Sequence, residues 1–417
     1  MSKNIVIIGG GIVGLSSAYF LHKSGHQVTI LDKAGISAGA SFVNAGYITP
    51  SHIIPLASPG MIAKGLKWMF NSSSPFYMKP RWDPEFFKWA WYFHRSSTKD
   101  KVKKAIPVIK DINIMSRELF EAFRTSGELG DFQLEDKGLL MLYQSRKFGD
   151  HELEVAKKAR FLGLEVYDLD HAALQKLEPH VKIDALGAVH YLCDRHTTPT
   201  EFMPKLVAYL ESVGVKIKRH ETVQEILAKQ GSIQSVTTNS HIYTPDEVIL
   251  AAGSWSGILA KKLGIKIPMQ AGKGYRINIP RPTGITLPAI LMETKVACTP
   301  MNGFTRFSGT MEFSGINTFI RKERVEAIAQ SAQRYYTELE ITEEEKAAAK
   351  SGLRPVSPDG LPYIGKSNNC DNLTFATGHA MMGWSLGPAT GKLVSEVING
   401  SPTSMDIGPF SPDRKFG

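Results

Sequence analysis

The chain opens with Asn4-Ile5-Val6-Ile7-Ile8, an apolar, β-branched run that does not alternate and that ends in glycine. Such a run predicts a strand buried on both faces, as in a parallel sheet. Residues 12–24 then carry helical spacing, with Val13, Ser17, Phe20 and Leu21 on or near one side, and residues 27–31 form a second strand. Together they predict a βαβ unit with a right-handed crossover. Residues 35–60 are rich in Gly, Ala, Ser and Pro and predict loop. Residues 61–94 are crowded with aromatics, from Trp68 and Phe70 to Trp91, Tyr92 and Phe93, and helices are expected to run on to residue 126 or so.

Farther along, residues 137–143 predict a strand and 150–162 an amphipathic helix. Thr198-Pro199-Thr200 caps a helix over 200–213. Strands are predicted at 215–219, 222–228, 232–239 and 246–251. Residues 266–320 alternate apolar and polar positions between turn residues, which predicts antiparallel strands. Residues 321–349 are charged and helical, 361–378 return to strands and turns, and a helix closes the chain near 386–399. This order predicts an α/β protein in which a Rossmann-like nucleotide domain is interleaved with an α+β substrate domain built on an antiparallel sheet. The expected division gives 1–50, 150–262 and 351–417 to the nucleotide domain, and 51–149 and 263–350 to the substrate domain.

Composition changes this picture little. The 417 residues are 42% hydrophobic and 21% charged, ordinary for a globular protein that can bury a large core. The net charge of +9 admits nucleic acid or an anionic membrane surface as partners. No basic run exceeds the cluster Lys99–Lys104 and no aromatic–basic RNA motif occurs, so a phosphate site and an anionic substrate are the simpler account, with no nucleic acid expected. Cys193, Cys298 and Cys370 are far apart, with no CxxC pair. That argues against a metal site and suits a reducing compartment such as the cytoplasm. No stretch of about 18 apolar residues suggests a membrane span. The run Ile5–Tyr19 carries three glycines at its centre and no cleavage site, so strand, turn and helix explain it better than a signal peptide.

The chemistry begins at Gly9-Gly10-Gly11-Ile12-Val13-Gly14. Gly9 permits the turn, Gly11 lets the backbone approach a pyrophosphate, and Gly14 lets helix and strand pack closely. The helix then opens with N–H groups and a positive dipole end facing the phosphates. A lone GxGxxG is weak evidence, but this one joins a strand to a helix. A second strand then ends at Asp32, about 20 residues beyond Gly11, where an acid can grip ribose hydroxyls. Two further segments favour FAD over a nicotinamide cofactor. Asp246–Trp255 runs from a strand into the small-residue turn Ala251-Ala252-Gly253. Thr377–Gly387 brings glycines to the start of the last helix, where backbone donors can meet the negative charge of a reduced flavin.

With these segments in view, the chain resembles the D-amino acid oxidase superfamily of FAD-dependent oxidoreductases, and within it the bacterial D-amino acid dehydrogenases. The resemblance covers nearly the whole chain: the N-terminal fingerprint, Ser41-Phe42-Val43-Asn44-Ala45-Gly46, Pro80-Arg81-Trp82-Asp83-Pro84, Val248–Ser256, Lys273-Gly274-Tyr275, Gly352-Leu353-Arg354-Pro355 with Pro358-Asp359-Gly360, and the glycine-rich end. The stretch from Gly352 to Gly365 is also similar to glycine oxidase. The resemblance implies a p-hydroxybenzoate-hydroxylase-like architecture. It implies non-covalent FAD held by Gly9, Gly11, Ile12, Val13, Gly14, Asp32, Lys33, Ser41, Asn44, Ala45, Gly46, Val223, Ala252, Gly253, Trp255, Gly378, His379, Met382, Gly383, Trp384 and Ser385. It also implies that Arg354 holds a substrate carboxylate, a role suited to a planar guanidinium charged at any useful pH.

Two further residues are candidates. Tyr275 either offers its hydroxyl to the substrate or packs in a core, and His52 either lines the pocket or stands on a surface loop. His379 is expected to act through its backbone. The implied reaction is oxidative deamination of an amino acid, a D-amino acid first of all, by hydride transfer to flavin N5 and hydrolysis of the imino acid. Glycine, sarcosine, D-proline or hydroxyproline are alternative substrates. A nicotinamide-linked dehydrogenase and a non-catalytic flavin- or nucleic-acid-binding protein remain as other classes. Electrons would pass to oxygen or a quinone. The aromatic stretch from Trp82 to Phe93 could touch a membrane peripherally, on the inner face of the cytoplasmic membrane, although helical spacing favours packing against the protein body.

Overall fold

The computed structural model describes residues 1–60, 76–79 and 81–416; Trp68, Phe70 and Pro80 lie outside them. Two sheets dominate. In the first, the strands run in the order Lys216–Arg219, Gln27–Asp32, Asn4–Ile8, Glu247–Leu250, Cys370–Thr377 and Tyr363–Ser367. The first five are parallel and the last is antiparallel. The unbroken apolar run at the N-terminus is explained by this position. Ile5 and Ile7 face one core layer while Val6 and Ile8 face the other, so no position is left for a polar side chain.

The helix Ile12–Lys23 is buried almost all round, from Ile12 through Tyr19 and at Leu21. It lies among the sheet, the helix Pro199–Ser212 and the last helix, Gly387–Asn399, and a helix with no polar face can only be stable in such a place. Phe120 of the helix Lys99–Ser126 enters the same layer, with its ring 5.3 Å from Phe202 and 6.1 Å from Trp384.

The second sheet runs Lys350–Val356, Gln270–Ile279, Phe304–Phe313, Val296–Met301, Ala289–Leu291, Leu139–Tyr143, Gly187–Tyr191 and Val166–Asp170, with Phe76–Met78 beside the end of Phe304–Phe313. It is mainly antiparallel, as the alternation over 266–320 predicts. Its outer side is closed by the helix Lys322–Tyr335, whose Val325, Ile328, Ala329 and Ala332 pack with Ile277, Phe307 and Cys298. Its inner side turns toward the first sheet.

The expected division of the chain needs three corrections. Strands Val166–Asp170 and Gly187–Tyr191, assigned above to the nucleotide domain with 150–262, pair with Leu139–Tyr143 in the second sheet. The helix Lys99–Ser126, assigned to the substrate domain, gives Ala105, Ile109, Ile112, Phe120 and Phe123 to the core of the first. Lys350–Val356 pairs with Gln270–Ile279 and so belongs to the second sheet, not to 351–417. Local periodicity states that a segment is a strand or a helix but not which distant partner it meets.

Phe120 is fully buried where these helices converge. Replacing it with Ala should cost about 3–5 kcal/mol, because the cavity left behind cannot collapse fully. Urea unfolding at saturating FAD should show a lower midpoint with an unchanged m-value.

Candidate functional site

The two sheets enclose a cavity of about 2220 Å³. That exceeds the roughly 300–1,000 Å³ of a single drug-sized ligand site and leaves room for a dinucleotide and a substrate together. At one end stands the glycine turn. Gly9 has φ +115°, and a Cβ there would lie 2.4 Å from the Ala251 carbonyl oxygen; a Cβ on Gly14 would lie 2.0 Å from the Gly9 carbonyl oxygen. No side chain fits at either place. The N–H of Gly10 donates to Asp32 Oδ2 (2.8 Å) and that of Ile12 to Ser41 Oγ (3.0 Å). The N–H groups of Gly11, Val13 and Gly14 have no partner among the described residues. Three unpaired donors at a helix N-terminus are what a pyrophosphate requires.

Asp32 also accepts from the Ala34 N–H (2.9 Å), so it braces the turn and keeps lone pairs for ribose hydroxyls. Lys33 Nζ lies 3.2 Å over the Trp255 ring, and burial lowers its pKa. Val223, Ala252 and Gly253 border the cavity with them. Ser41, Asn44 and Ala45 line its middle. Gly46, Gly378 and Gly14 shape the walls from behind: a Cβ on Gly46 would meet Thr197 O at 2.1 Å, and one on Gly378 would meet the Tyr363 ring at 2.5 Å.

At the far end, His379, Met382, Gly383, Trp384 and Ser385 line the cavity just before the last helix. The N–H groups of Gly383, Trp384 and Ser385 are unpaired among the described residues. Their side chains are anchored elsewhere: Trp384 Nε1 donates to Thr197 Oγ1 (2.9 Å) and Ser385 Oγ to Asn113 Oδ1 (2.7 Å). His379 is buried, with Nε2 2.8 Å from Thr390 Oγ1, and burial pushes its pKa down to about 3. Its ring is therefore neutral and committed. Backbone donors at both ends of one long cavity fit FAD: those at the first helix would hold its phosphates, and those at the last would meet the negative charge of the reduced flavin.

Arg354 stands on the inner side of the second sheet. Its guanidinium lies across Gly274, where a Cβ would come within 2.3 Å of Cζ, Nη1 and Nη2. Nη1 donates to the Thr310 carbonyl oxygen (2.8 Å). Thr310 holds φ +63°, a strained conformation for a β-branched residue, and turns its carbonyl to the arginine. Burial lowers the Arg354 pKa to about 10, so the group remains a cation at neutral pH. No carboxylate pairs with it among the described residues. A buried cation on a cavity wall without a counter-ion calls for an anionic ligand.

The other two candidates differ from one another. Tyr275 borders the cavity, but its ring is 1% exposed within the outer core and its hydroxyl donates to Glu312 Oε2 (2.7 Å). Glu312 in turn pairs with the buried Lys273 (3.1 Å). That hydroxyl is spent inside the protein. His52 does line the cavity. Burial, and then the Lys295 cation, push its pKa down to about 4, and its Nδ1 lies 3.2 Å from Ser51 Oγ.

Arg306 escaped the sequence reading. It is fully buried and donates through Nη1 to the carbonyls of Asn44 (2.5 Å) and Phe42 (3.3 Å), and through Nε to Asn278 Oδ1 (3.0 Å). It fastens the flavin-side loop to the second sheet. The one available signal was a charged residue at an inward position of an alternating strand.

Fold and cavity thus define a flavin-binding oxidoreductase. The chain belongs to the DAO family, FAD dependent oxidoreductase, which matches it over residues 4–397. It is 29% identical over 405 residues to the D-amino acid dehydrogenase of Methylobacterium radiotolerans, covering 95% of this chain and 96% of that one. It is 27% identical over 418 residues to that of Paramagnetospirillum magneticum, covering 98% of each. Glycine oxidase from Geobacillus kaustophilus superimposes with a TM-score of 0.80 at 22% identity over the full length of both chains. L-proline dehydrogenase from P. horikoshii superimposes with a TM-score of 0.76 at 19% identity, over 99% of this chain and 97% of that one. These structures share the fold.

Replacing Gly14 with Ala should force the helix off the turn. Overpacking of this kind costs about 1–3 kcal/mol, so FAD should bind roughly ten- to a hundredfold more weakly, read from fluorescence of released flavin during titration of the apoprotein.

Proposed function

We propose that this FAD-dependent enzyme oxidises an α-amino acid, in first place a D-amino acid, to the imino acid, which water then hydrolyses to the 2-oxo acid and ammonium. The observation that carries this reading is Arg354: a buried guanidinium on the cavity wall, a cation at neutral pH, fixed by Thr310 and without a carboxylate partner among the described residues. A substrate carboxylate completes it through a bidentate pair. Fixing the carboxylate fixes the α-carbon, which makes the oxidation step effectively unimolecular. Bound FAD supplies the two-electron acceptor. Relatives named D-amino acid dehydrogenase, aligned over nearly the whole chain, support the same substrate class.

Removing one partner of such a buried pair costs about 3–5 kcal/mol. Arg354→Ala should therefore lower kcat/KM for amino acids by roughly a hundred- to several thousandfold, with the bound-flavin spectrum unchanged. An anaerobic screen of D- and L-amino acids, glycine, sarcosine, D-proline and hydroxyproline isomers, read as flavin bleaching, tests both the reaction and its range. Wild-type kinetics in the variant would remove Arg354 from the assignment.

We propose further that the electrons leave to a quinone at a membrane surface. The helix Pro84–Ser96 supports this by burying Trp89 and Phe93 while Trp91 and Phe87 stand 58% and 50% exposed, with Trp82 90% exposed just before it. Lys88 and Arg95 lie on the same helix and suit anionic headgroups. No helix among the described residues is long and apolar enough to cross a membrane, so the contact would be peripheral. Each such aromatic is worth on the order of 1.5 kcal/mol when buried, so Trp82→Ser with Trp91→Ser should weaken binding to anionic vesicles at least about tenfold. Equal flotation of wild type and variant with vesicles would refute the contact.

A further inference from the structure

We propose that the end of the cavity remote from Arg354 is the binding site of the electron acceptor, a quinone whose ring lies in an apolar arm and whose tail leaves through a lysine-rimmed mouth. This assignment rests on the quinone reading above and adds the residues that hold the ring.

Distance separates the arm from the substrate clamp. On the second sheet, Leu139–Tyr143 lies five strand steps from the strand of Arg354, about 24 Å at ordinary strand spacing. Met141 and Ile290 line the cavity at that end. No side chain of an amino acid clamped at Arg354 spans such a length. Between the two runs the flavin-side loop. The Ala45 carbonyl accepts from Thr299 Oγ1 (2.8 Å), and the Tyr47 hydroxyl lies 2.8 Å from the Ala289 carbonyl oxygen and 2.6 Å from that of Cys298. The Thr49 N–H donates to Ser385 Oγ (3.0 Å), which joins this loop to the cradle at the last helix. Farther on, Ser51 pins the chain by giving its N–H (2.9 Å) and its hydroxyl (2.5 Å) to the buried Asp194 carboxylate. The flavin site therefore has the clamp on one side and the arm on the other.

Apolar surface is left open in the arm. Ile54, Ile106, Phe148, Leu162 and Ile290 are only half-buried, although each packs on the core of Met141, Tyr191 and Met292. All five line the cavity, so their free surface faces it. Phe148, His151, Val155 and Lys158 recur at three- and four-residue intervals, so one face of the helix Arg146–Phe161 forms this wall. Neither a pyrophosphate nor a zwitterionic amino acid calls for such a surface, and leaving it in water is unfavourable. A quinone ring with its hydrocarbon tail is the apolar partner that fits. Lys295 Nζ stands at the same place, 3.5 Å from Met292 Sδ and 5.9 Å from the Phe148 ring centre. Its ammonium can donate to a quinone oxygen as that oxygen gains charge.

Lysines ring the opening. Lys99 and Lys103 of the helix Lys99–Ser126, with Lys147 and Lys158 of the helix Arg146–Phe161, are exposed and border the cavity. No carboxylate pairs with these four among the described residues. Phe161 is 91% exposed, one turn beyond Lys157 and Lys158. Lys99 follows by three positions the end of the helix Pro84–Ser96, whose Phe87 and Trp91 face outward. Aromatics among cations suit an anionic headgroup layer, so the mouth opens where a bilayer can deliver a quinone. The reaction balances. Oxidising the amino acid releases two electrons and two protons, with one hydrogen from Cα and one from nitrogen, and reducing a quinone to a quinol takes up two of each.

The test uses the holoenzyme and a decyl-tailed benzoquinone. Calorimetric titration of the oxidised wild type should give saturable binding, and mixing the quinone with the anaerobically reduced wild type should restore the oxidised-flavin spectrum. Ile106→Ala with Phe148→Ala should raise the quinone Kd at least about tenfold. The flavin spectrum and the rate of flavin bleaching by an amino acid should stay at wild-type values, because the arm lies far from Arg354. Lys295→Gln should slow reoxidation by saturating quinone about 10²- to 10³-fold, and Lys295→Arg should restore most of the rate. Arg354→Ala, reduced with dithionite, should keep the wild-type quinone Kd. A double variant with wild-type Kd and reoxidation rate overturns the site while leaving quinone as the acceptor. A reduced wild type that quinone neither binds nor reoxidises removes the quinone reading and the site together. Failure of the amino-acid reading has a different signature: no amino acid bleaches the flavin, yet quinone still reoxidises the dithionite-reduced enzyme.

Discussion

A buried cation without a counter-ion among the described residues organises this protein. Desolvating a guanidinium is expensive, and among the described residues Arg354, on a cavity wall, bonds only the Thr310 carbonyl and a methionine sulfur. The surrounding structure is built to tolerate that. Gly274 has no side chain so that the guanidinium can lie across its strand, and Thr310 keeps a left-handed backbone so that its carbonyl points to Nη1. Such an arrangement is stable enough to persist but incomplete, and on the function proposed above an incoming carboxylate would complete it.

The cofactor end follows the same logic with the opposite sign. Helix starts before Ile12 and before Gly387 leave backbone donors unpaired among the described residues, toward one cavity. Side chains nearby are turned to other tasks: Asp32 braces the glycine turn, Trp384 and Ser385 bond away from the cavity, and the His379 ring bonds Thr390. Positive potential therefore comes from peptide groups fixed by the fold, which do not titrate. Arg306 joins the halves by holding the Phe42 and Asn44 carbonyls against the second sheet, so that the loop beside the cofactor cannot drift from the substrate side.

Much of the glycine-lined end of the cavity was legible because it is local. The turn from Gly9 to Gly14, the acid at Asp32 and the small-residue turn at Ala252 each sit within one strand–turn–helix segment, where spacing carries the geometry. Tyr275 shows where such reading fails. Lys273-Gly274-Tyr275 lies in a strand, and strict alternation from Gly274 puts Tyr275 on the opposite side from the Arg354 guanidinium, in the core under the outer helix. Asp194 and Ser51 lie 143 residues apart, and no periodicity links them.

The sequence by itself determined the nucleotide-binding βαβ unit, the antiparallel character of residues 266–320 and the candidacy of Arg354, because each depends on residue type and short-range spacing. Tertiary structure alone decided which strands join which sheet, that Tyr275 is spent on Glu312, that Arg354 has no counter-ion among the described residues, and that Ser51 connects His52 to a buried carboxyl. Those are statements about which groups are left unpaired, and a group's partners are settled only when distant segments are brought together.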